Sequence, residues 1–104
     1  MRFYIVKRCW WLFWAEGMVV WPFVFFRPKV PNHRLVRHEF EHCYLVHRMG
    51  VLKFYSRYIW LLIKHGYRNH PDEKEAYRIQ WTPLTVSERI WLSLGKVYLP
   101  DEEK

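Results

Sequence analysis

Five consecutive residues, His38-Glu39-Phe40-Glu41-His42, have the types and spacing that hydrolytic zinc chemistry requires. On an α-helix, residues four apart lie on the same face, so both imidazoles can reach one metal ion. Glu39 then lies beside the metal, where its carboxylate can take a proton from a bound water. The motif therefore predicts a small zinc-dependent hydrolase, with His38 and His42 as ligands and Glu39 as general base.

Acidic residues concentrate in two places in the middle of the chain. Between Gly17 and Ser87 there are two carboxylates inside the motif and three in a second cluster, Asp72, Glu73 and Glu75. Every other charged side chain in that stretch is basic. This distribution favours a metal site over a surface helix that carries His and Glu by chance. The second cluster also suits the N-terminus of a helix, where acidic groups are stabilised by the helix dipole.

A third metal ligand should follow the motif, because a catalytic zinc has three protein ligands and one open position. The candidates are Asp72, Glu73, Glu75, His65 and His70. His47 and Cys43 lie five residues beyond a motif histidine and so turn away from the metal face. Two of these candidates, His65 and His70, could instead donate a hydrogen bond to a developing oxyanion, as could Tyr67.

Together with the segment that follows it, the motif resembles a known group of proteins. Small phage and bacterial proteins regarded as minimal zinc metallopeptidases have motifs similar to three successive parts of this chain. These parts are H-E-F-E-H, a basic and aromatic helix, and H-G-Y-R-N-H-P-D-E-K-E-A. The likeness also extends to gluzincins, in which a Glu on a later helix completes the site. It implies peptide-bond hydrolysis, with Glu73 of E-x-x-A as third ligand and Glu75 as the backup. Tyr77 replaces the Asp that usually follows the Ala.

The length of the chain, its apolar runs and its turn-forming residues predict the fold class. A chain of 104 residues forms one domain, which we divide into an aromatic strand region (1–31), metal-site helices (32–80) and a C-terminal helix with a tail (81–104). Residues 2–8 and 18–27 are predicted to be strands, with Pro22 at a bend or a sheet edge. The expectation is an α+β fold, a mainly helical minimal metallopeptidase-like domain with a small N-terminal β-hairpin or sheet.

Capping residues predict four helices. Asn32 and Gly50 bound the motif helix, residues 33–49. Three further helices are predicted over residues 51–64, 71–79 and 86–94, the last begun by a capping box of Thr85 and Glu88. The tail, residues 100–104, is expected to fray.

Hydrophobic spacing predicts which helix faces are buried. In the motif helix one inward stripe contains Leu35, His38, His42, Leu45 and Met49. Arg37 is expected to pair with Glu41, one turn away. The buried face of the second helix is predicted to contain Val51, Tyr55, Tyr58, Ile59 and Leu62.

The formal net charge of +7 and the aromatic content of 20% favour contact with an anionic surface. Residues 9–26 form an apolar run with basic flanks that resembles a short membrane anchor, although Glu16 and Pro22 interrupt it. Cys9 and Cys43 are predicted to be free thiols in a reducing compartment. A cytoplasmic or phage-associated location is therefore favoured over secretion.

Two other functions compete with the peptidase hypothesis. A basic, aromatic nucleic-acid-binding module needs no metal, and the paired acidic clusters argue against it. A non-catalytic, zinc-stabilised structural or membrane-associated protein of the phage virion type would keep the ligands without needing Glu39 as a base. The expected cofactor is one Zn2+ per chain, and the expected partners are a peptide or protein substrate and a membrane surface or phage protein. The oligomeric state stays open.

Overall fold

The chain forms four helices and one four-stranded sheet in the computed structural model, which describes residues 1–12 and 15–99. In chain order the elements are β1 Arg2–Val6, β2 Gly17–Val20, β3 Phe23–Phe26, α1 His33–Met49, α2 Val51–His65, α3 Pro71–Ile79, α4 Val86–Leu94 and β4 Lys96–Tyr98. The mainly helical α+β class predicted from the sequence is confirmed. The predicted tail, residues 100–104, lies outside the described residues.

The sheet has the strand order β2-β3-β1-β4, with β1 parallel to β3 and antiparallel to β4. The predicted strand over residues 18–27 is split at Trp21–Pro22, where a bend joins β2 to the antiparallel β3. Pro22 had indicated this bend. Strand β4 was not predicted, because three residues directly after Gly95 show too little alternation to be recognised.

The apolar run over residues 9–26 contributes to the core. Its buried apolar side chains include Cys9, Leu12, Val24 and Phe26, whereas Phe13 and Trp14 lie outside the described residues. Within residues 1–12 and 15–99, no helix has the length and apolar character needed to cross a bilayer. Both Cys9 and Cys43 are buried free thiols.

Helix α1 packs one face against the sheet. Its apolar residues Val36, Phe40, Cys43 and Val46 recur every three or four positions and join Phe3, Val24, Phe26 and Val97 of the sheet in one core. The helix begins where the Asn32 side chain accepts a hydrogen bond from the Leu35 N–H at 2.9 Å, and it ends at Gly50, whose φ is 89°. These caps fix the register of the motif on the helix.

Helix α2 is more exposed than predicted. Phe54 is its only buried side chain among the described residues, while Ile59 and Leu62 are 54% and 37% exposed. Tyr55 and Tyr58 are half-buried. The prediction for Ile59 and Leu62 was wrong because only a narrow stripe of α2 packs against α1. The adjacent face of α2, which carries these two residues, borders an open cleft.

The expected pairing of Arg37 with Glu41 was also wrong. The guanidinium of Arg37 is buried and binds both carboxylate oxygens of Glu88 on α4, one of them at 2.6 Å. Glu41 instead lies 3.9 Å from Arg48. The capping box positions the Glu88 carboxylate at the start of α4, where Thr85 N–H donates to it at 2.7 Å and Tyr44 donates at 2.5 Å. Because the Arg37 side chain extends into the core and not along the helix surface, a long-range partner replaces the local one.

Substitution of Glu88 by Gln should destabilise the fold by about 3 kcal/mol, because it leaves the Arg37 charge buried without a counter-charge. Gln can still form the capping box, so the loss reports the ion pair. Chemical denaturation of the two proteins measures the difference. The matched control is Glu75→Gln, which breaks the exposed pair with Arg78 and should leave the midpoint unchanged. Equal losses for both variants would contradict the assignment.

Candidate metal centre

Helices α1 and α3 bring three ligand-type side chains together. His38 and His42 lie one turn apart on α1, with their ring centroids 5.1 Å apart. Glu73 lies in the first turn of α3, which starts at Pro71 and is capped by His70. The His70 Nδ1 atom accepts a hydrogen bond from the Asp72 N–H at 3.1 Å, and this cap fixes where Glu73 projects.

The three side chains converge on one point. Oε1 of Glu73 lies 2.9 Å from Nε2 of His38 and 3.2 Å from Nε2 of His42, and the three ligand atoms all lie within 4.8 Å of one another. Tetrahedral zinc with bonds of about 2.0–2.1 Å spaces its ligand atoms roughly 3.3 Å apart. Two imidazoles and a carboxylate are also a donor set that zinc prefers. The donor set and the two His–Glu distances therefore fit a zinc ion.

Hydrogen bonds keep the Glu73 carboxylate ionised although it is buried. Burial opposes ionisation, but hydrogen bonds from His38 and His42 outweigh it and hold the pKa of Glu73 well below its usual value. Its second oxygen, Oε2, accepts a hydrogen bond from the Tyr58 hydroxyl at 2.5 Å. Tyr58 thereby orients the carboxylate so that Oε1 faces the two histidines.

Glu39 lies beside this cluster, against strand β2. It is 5% exposed, and burial raises the pKa of its carboxyl, while the charges of His42 and His38 act in the opposite direction. A Cβ atom added at Gly17 would lie 2.9 Å from Cγ and 3.1 Å from Oε2 of Glu39. Only a glycine leaves this space, so Gly17 is a close-approach position that the sequence pattern alone did not single out.

The remaining candidate ligands bind other groups or lie exposed to solvent. Glu75 is exposed and pairs with Arg78. Asp72 is bound by Arg57 at 2.6 and 2.7 Å. His70 is buried and caps α3, with Nε2 3.0 Å from the Tyr58 carbonyl oxygen. His65 is exposed at the end of α2. Of the five candidates for third ligand, the geometry brings only Glu73 to the motif histidines.

The cluster opens on a cleft of about 1060 Å³. Strand β2 contributes to its lining, as do the α2 side chains Tyr55, Ile59 and Leu62. Tyr67 and Tyr77 also line it, with their hydroxyls 3.5 Å apart. Burial and the hydrogen bond to Tyr77 raise the pKa of Tyr67, so this phenol keeps its proton.

Tyr77, which the sequence marked only as a departure from the pattern of the resembling family, contacts His38 of the candidate site. Its ring packs edge-on against His38 with the centroids 4.6 Å apart. A sequence signal existed, since Tyr77 lies four residues after Glu73 and so on the same face of α3. Tyr58 has no comparable signal, because its position relative to Glu73 depends on how α2 packs.

Zinc affinity should fall as the pH is lowered through the raised pKa of His42. Burial opposes protonation of His42, but the hydrogen bond to Glu73 and the nearby carboxylate charges raise its pKa above the ordinary value of 6.5. Only the neutral ring binds metal, so each pH unit below that pKa should weaken zinc binding about tenfold. Competition with a chromophoric chelator between pH ~8 and ~5.5 measures this, with the exposed His65→Gln as control. An affinity that is constant over this range would contradict the proposed ligand role of His42.

Comparison of the chain with protein-family models, curated proteins and solved structures finds no match. The chemistry that this chain can perform is therefore indicated by the geometry of His38, His42, Glu73 and Glu39, and by the motif that contains three of them.

Proposed function

We propose that this protein is a zinc-dependent metallopeptidase in which His38, His42 and Glu73 hold one Zn2+ and Glu39 is the general base. The observation that carries the proposal is the convergence of these four side chains on the wall of one open cleft. Ligands from two helices meet at a single carboxylate oxygen, and a buried acid with a raised pKa lies next to them. This combination is typical of catalytic groups.

Each residue of the proposed site has a separate role in peptide-bond hydrolysis. Bound zinc supplies a Lewis acid that lowers the pKa of a water ligand and polarises a carbonyl. Glu39 accepts the proton of the attacking water and passes it to the leaving amine. Tyr67 and Tyr77 present phenol groups to the same cleft and can donate to a developing oxyanion. Tyr58 holds Glu73 in place throughout.

The cleft suits an extended peptide. Strand β2 is an edge strand, and the Tyr55 hydroxyl binds its outward side by donating to the Val19 carbonyl at 3.1 Å. Gly17, two residues earlier, directs its N–H and C=O to the same edge. Glu39 packs on the sheet face at Gly17, so a substrate strand that paired with the edge there would lie near its carboxylate. A peptide or protein is therefore the substrate class, and the resemblance to minimal metallopeptidases supports the same class.

One feature favours catalysis over a purely structural zinc site, and another argues against a nucleic-acid-binding groove. Structural zinc ions are enclosed by four protein ligands, whereas the cluster in the described residues has three and borders the cleft. A nucleic-acid groove would be lined with cations, but Arg34 is the only arginine or lysine among the lining residues that the structure describes, and its guanidinium lies 4.5 Å from the Trp81 ring centroid.

Substitution of Glu39 by Gln tests the proposal, because it removes the base and keeps the side-chain shape. Zinc-loaded wild type should cleave members of a quenched-fluorescent peptide library, and Glu39→Gln should retain zinc but lose activity by at least about 100-fold. The matched control is Glu41→Gln on the same helix, which should cleave like wild type. A zinc-loaded wild type that cleaves nothing, or a Glu39→Gln variant as active as wild type, would contradict the peptidase assignment.

A further inference from the structure

Helix α2 exposes an apolar stripe on its outward side. Leu52, Ile59 and Ile63 are spaced seven and four residues apart, which places them on one face. They are 82%, 54% and 76% exposed. Trp60, 62% exposed, extends the stripe to one side. Side chains of this kind are more often buried, so an exposed stripe of them is a candidate interaction surface. Helix α4 also exposes Val86 and Ile90, but it contains no lysine.

A parallel basic stripe borders the apolar one. Lys53 and Lys64 have the same spacing as Leu52 and Ile63 but are shifted by one residue, so that they flank Trp60. Helix α2 has no acidic residue, and neither lysine pairs with a carboxylate in the part of the chain that the structure describes. Arg57, the remaining strong base of the helix, is neutralised by Asp72. Two unpaired cations therefore lie next to the apolar stripe.

The bend between β2 and β3 enlarges this surface. The Trp21 N–H donates to the Tyr55 hydroxyl of α2 at 2.8 Å, which holds the bend against the helix. Val20 and Trp21 are both partly exposed there. The apolar surface thus comes from two elements with a fixed relation to each other.

We propose that the α2 outer face, formed by Leu52, Ile59, Trp60, Ile63, Lys53 and Lys64, binds an anionic lipid surface. An apolar stripe with a tryptophan and flanking lysines is the pattern of a helix that lies in the plane of a membrane interface. The lysines attract acidic headgroups, and the overall charge of +7 adds to that attraction. Because Ile59 and Val20 also line the cleft, this contact brings the mouth of the cleft to the membrane. The contact does not depend on the proposed peptidase activity.

A second copy of the chain fits this face less well. A two-fold contact sets the same surface against itself, so each copy would meet a face that carries lysines and no acid on α2, without charge complementarity. Aliphatic side chains at the centre of the face also have no role in contacting phosphates of a nucleic acid. Charge complementarity therefore selects the anionic membrane.

Flotation of the full-length protein with lipid vesicles tests the proposal. Wild type should bind vesicles of equal parts phosphatidylglycerol and phosphatidylcholine, and binding should weaken at high salt and on pure phosphatidylcholine. The double variant Leu52→Ser, Ile63→Ser should bind about tenfold more weakly or worse. The variant Lys53→Gln, Lys64→Gln should also lose about tenfold.

The matched control is Val86→Ser, Ile90→Ser on α4, which removes two exposed apolar side chains from another helix and should bind like wild type. Thermal unfolding of each variant verifies that it is folded. Absence of wild-type binding to anionic vesicles, or equal losses in the α2 and α4 variants, would overturn the proposal. A concentration-dependent dimer in light scattering that the α2 substitutions abolish would likewise overturn it, and would assign the face to self-association.

Discussion

The buried Glu73 carboxylate is the point at which three helices of this small fold meet. It lies on α3, accepts hydrogen bonds from His38 and His42 of α1, and is held from the other side by Tyr58 of α2. Withdrawing such groups from water costs free energy, and apolar residues of the same volume are often as stabilising or more so. The cluster is therefore poorly explained by stability alone, and metal binding would give a role to the converging Nε2 atoms of His38 and His42 and to Oε1 of Glu73.

Local signals in the sequence predicted most of the secondary structure. The bounds of α1, α3 and α4 follow from caps at Asn32, Pro71 and Thr85, whose side chains or ring act within one turn. The predictions that failed concern features that tertiary contacts determine. Strand β4 exists because β1 offers it an edge, and Arg37 pairs across to α4 and not along its own helix. The exposed face of α2 could not be predicted either, since its apolar spacing equals that of a buried helix.

The candidate site likewise combines relations that local sequence determines with relations that depend on the tertiary fold. The relation of His38 to His42 is fixed by helix geometry, so the motif alone places them together. The choice of Glu73 over Glu75 came from the family resemblance, and the structure brings Glu73 to the motif. Gly17 makes space for Glu39 across a loop and a strand, a relation that no local spacing encodes. Sequence thus identifies the reactive groups more readily than the residues that position them.

The central claim, that His38, His42 and Glu73 form a metal site, is tested most directly by zinc content. The metal in purified wild type, His42→Ala and His47→Ala should be measured by mass spectrometry after equilibration with zinc and removal of the excess. His47 lies on the same helix but outside the cluster, so its variant controls for loss of an imidazole. We expect about one zinc per chain in wild type and His47→Ala, and almost none in His42→Ala. No zinc in wild type, or equal zinc in all three proteins, would contradict the account.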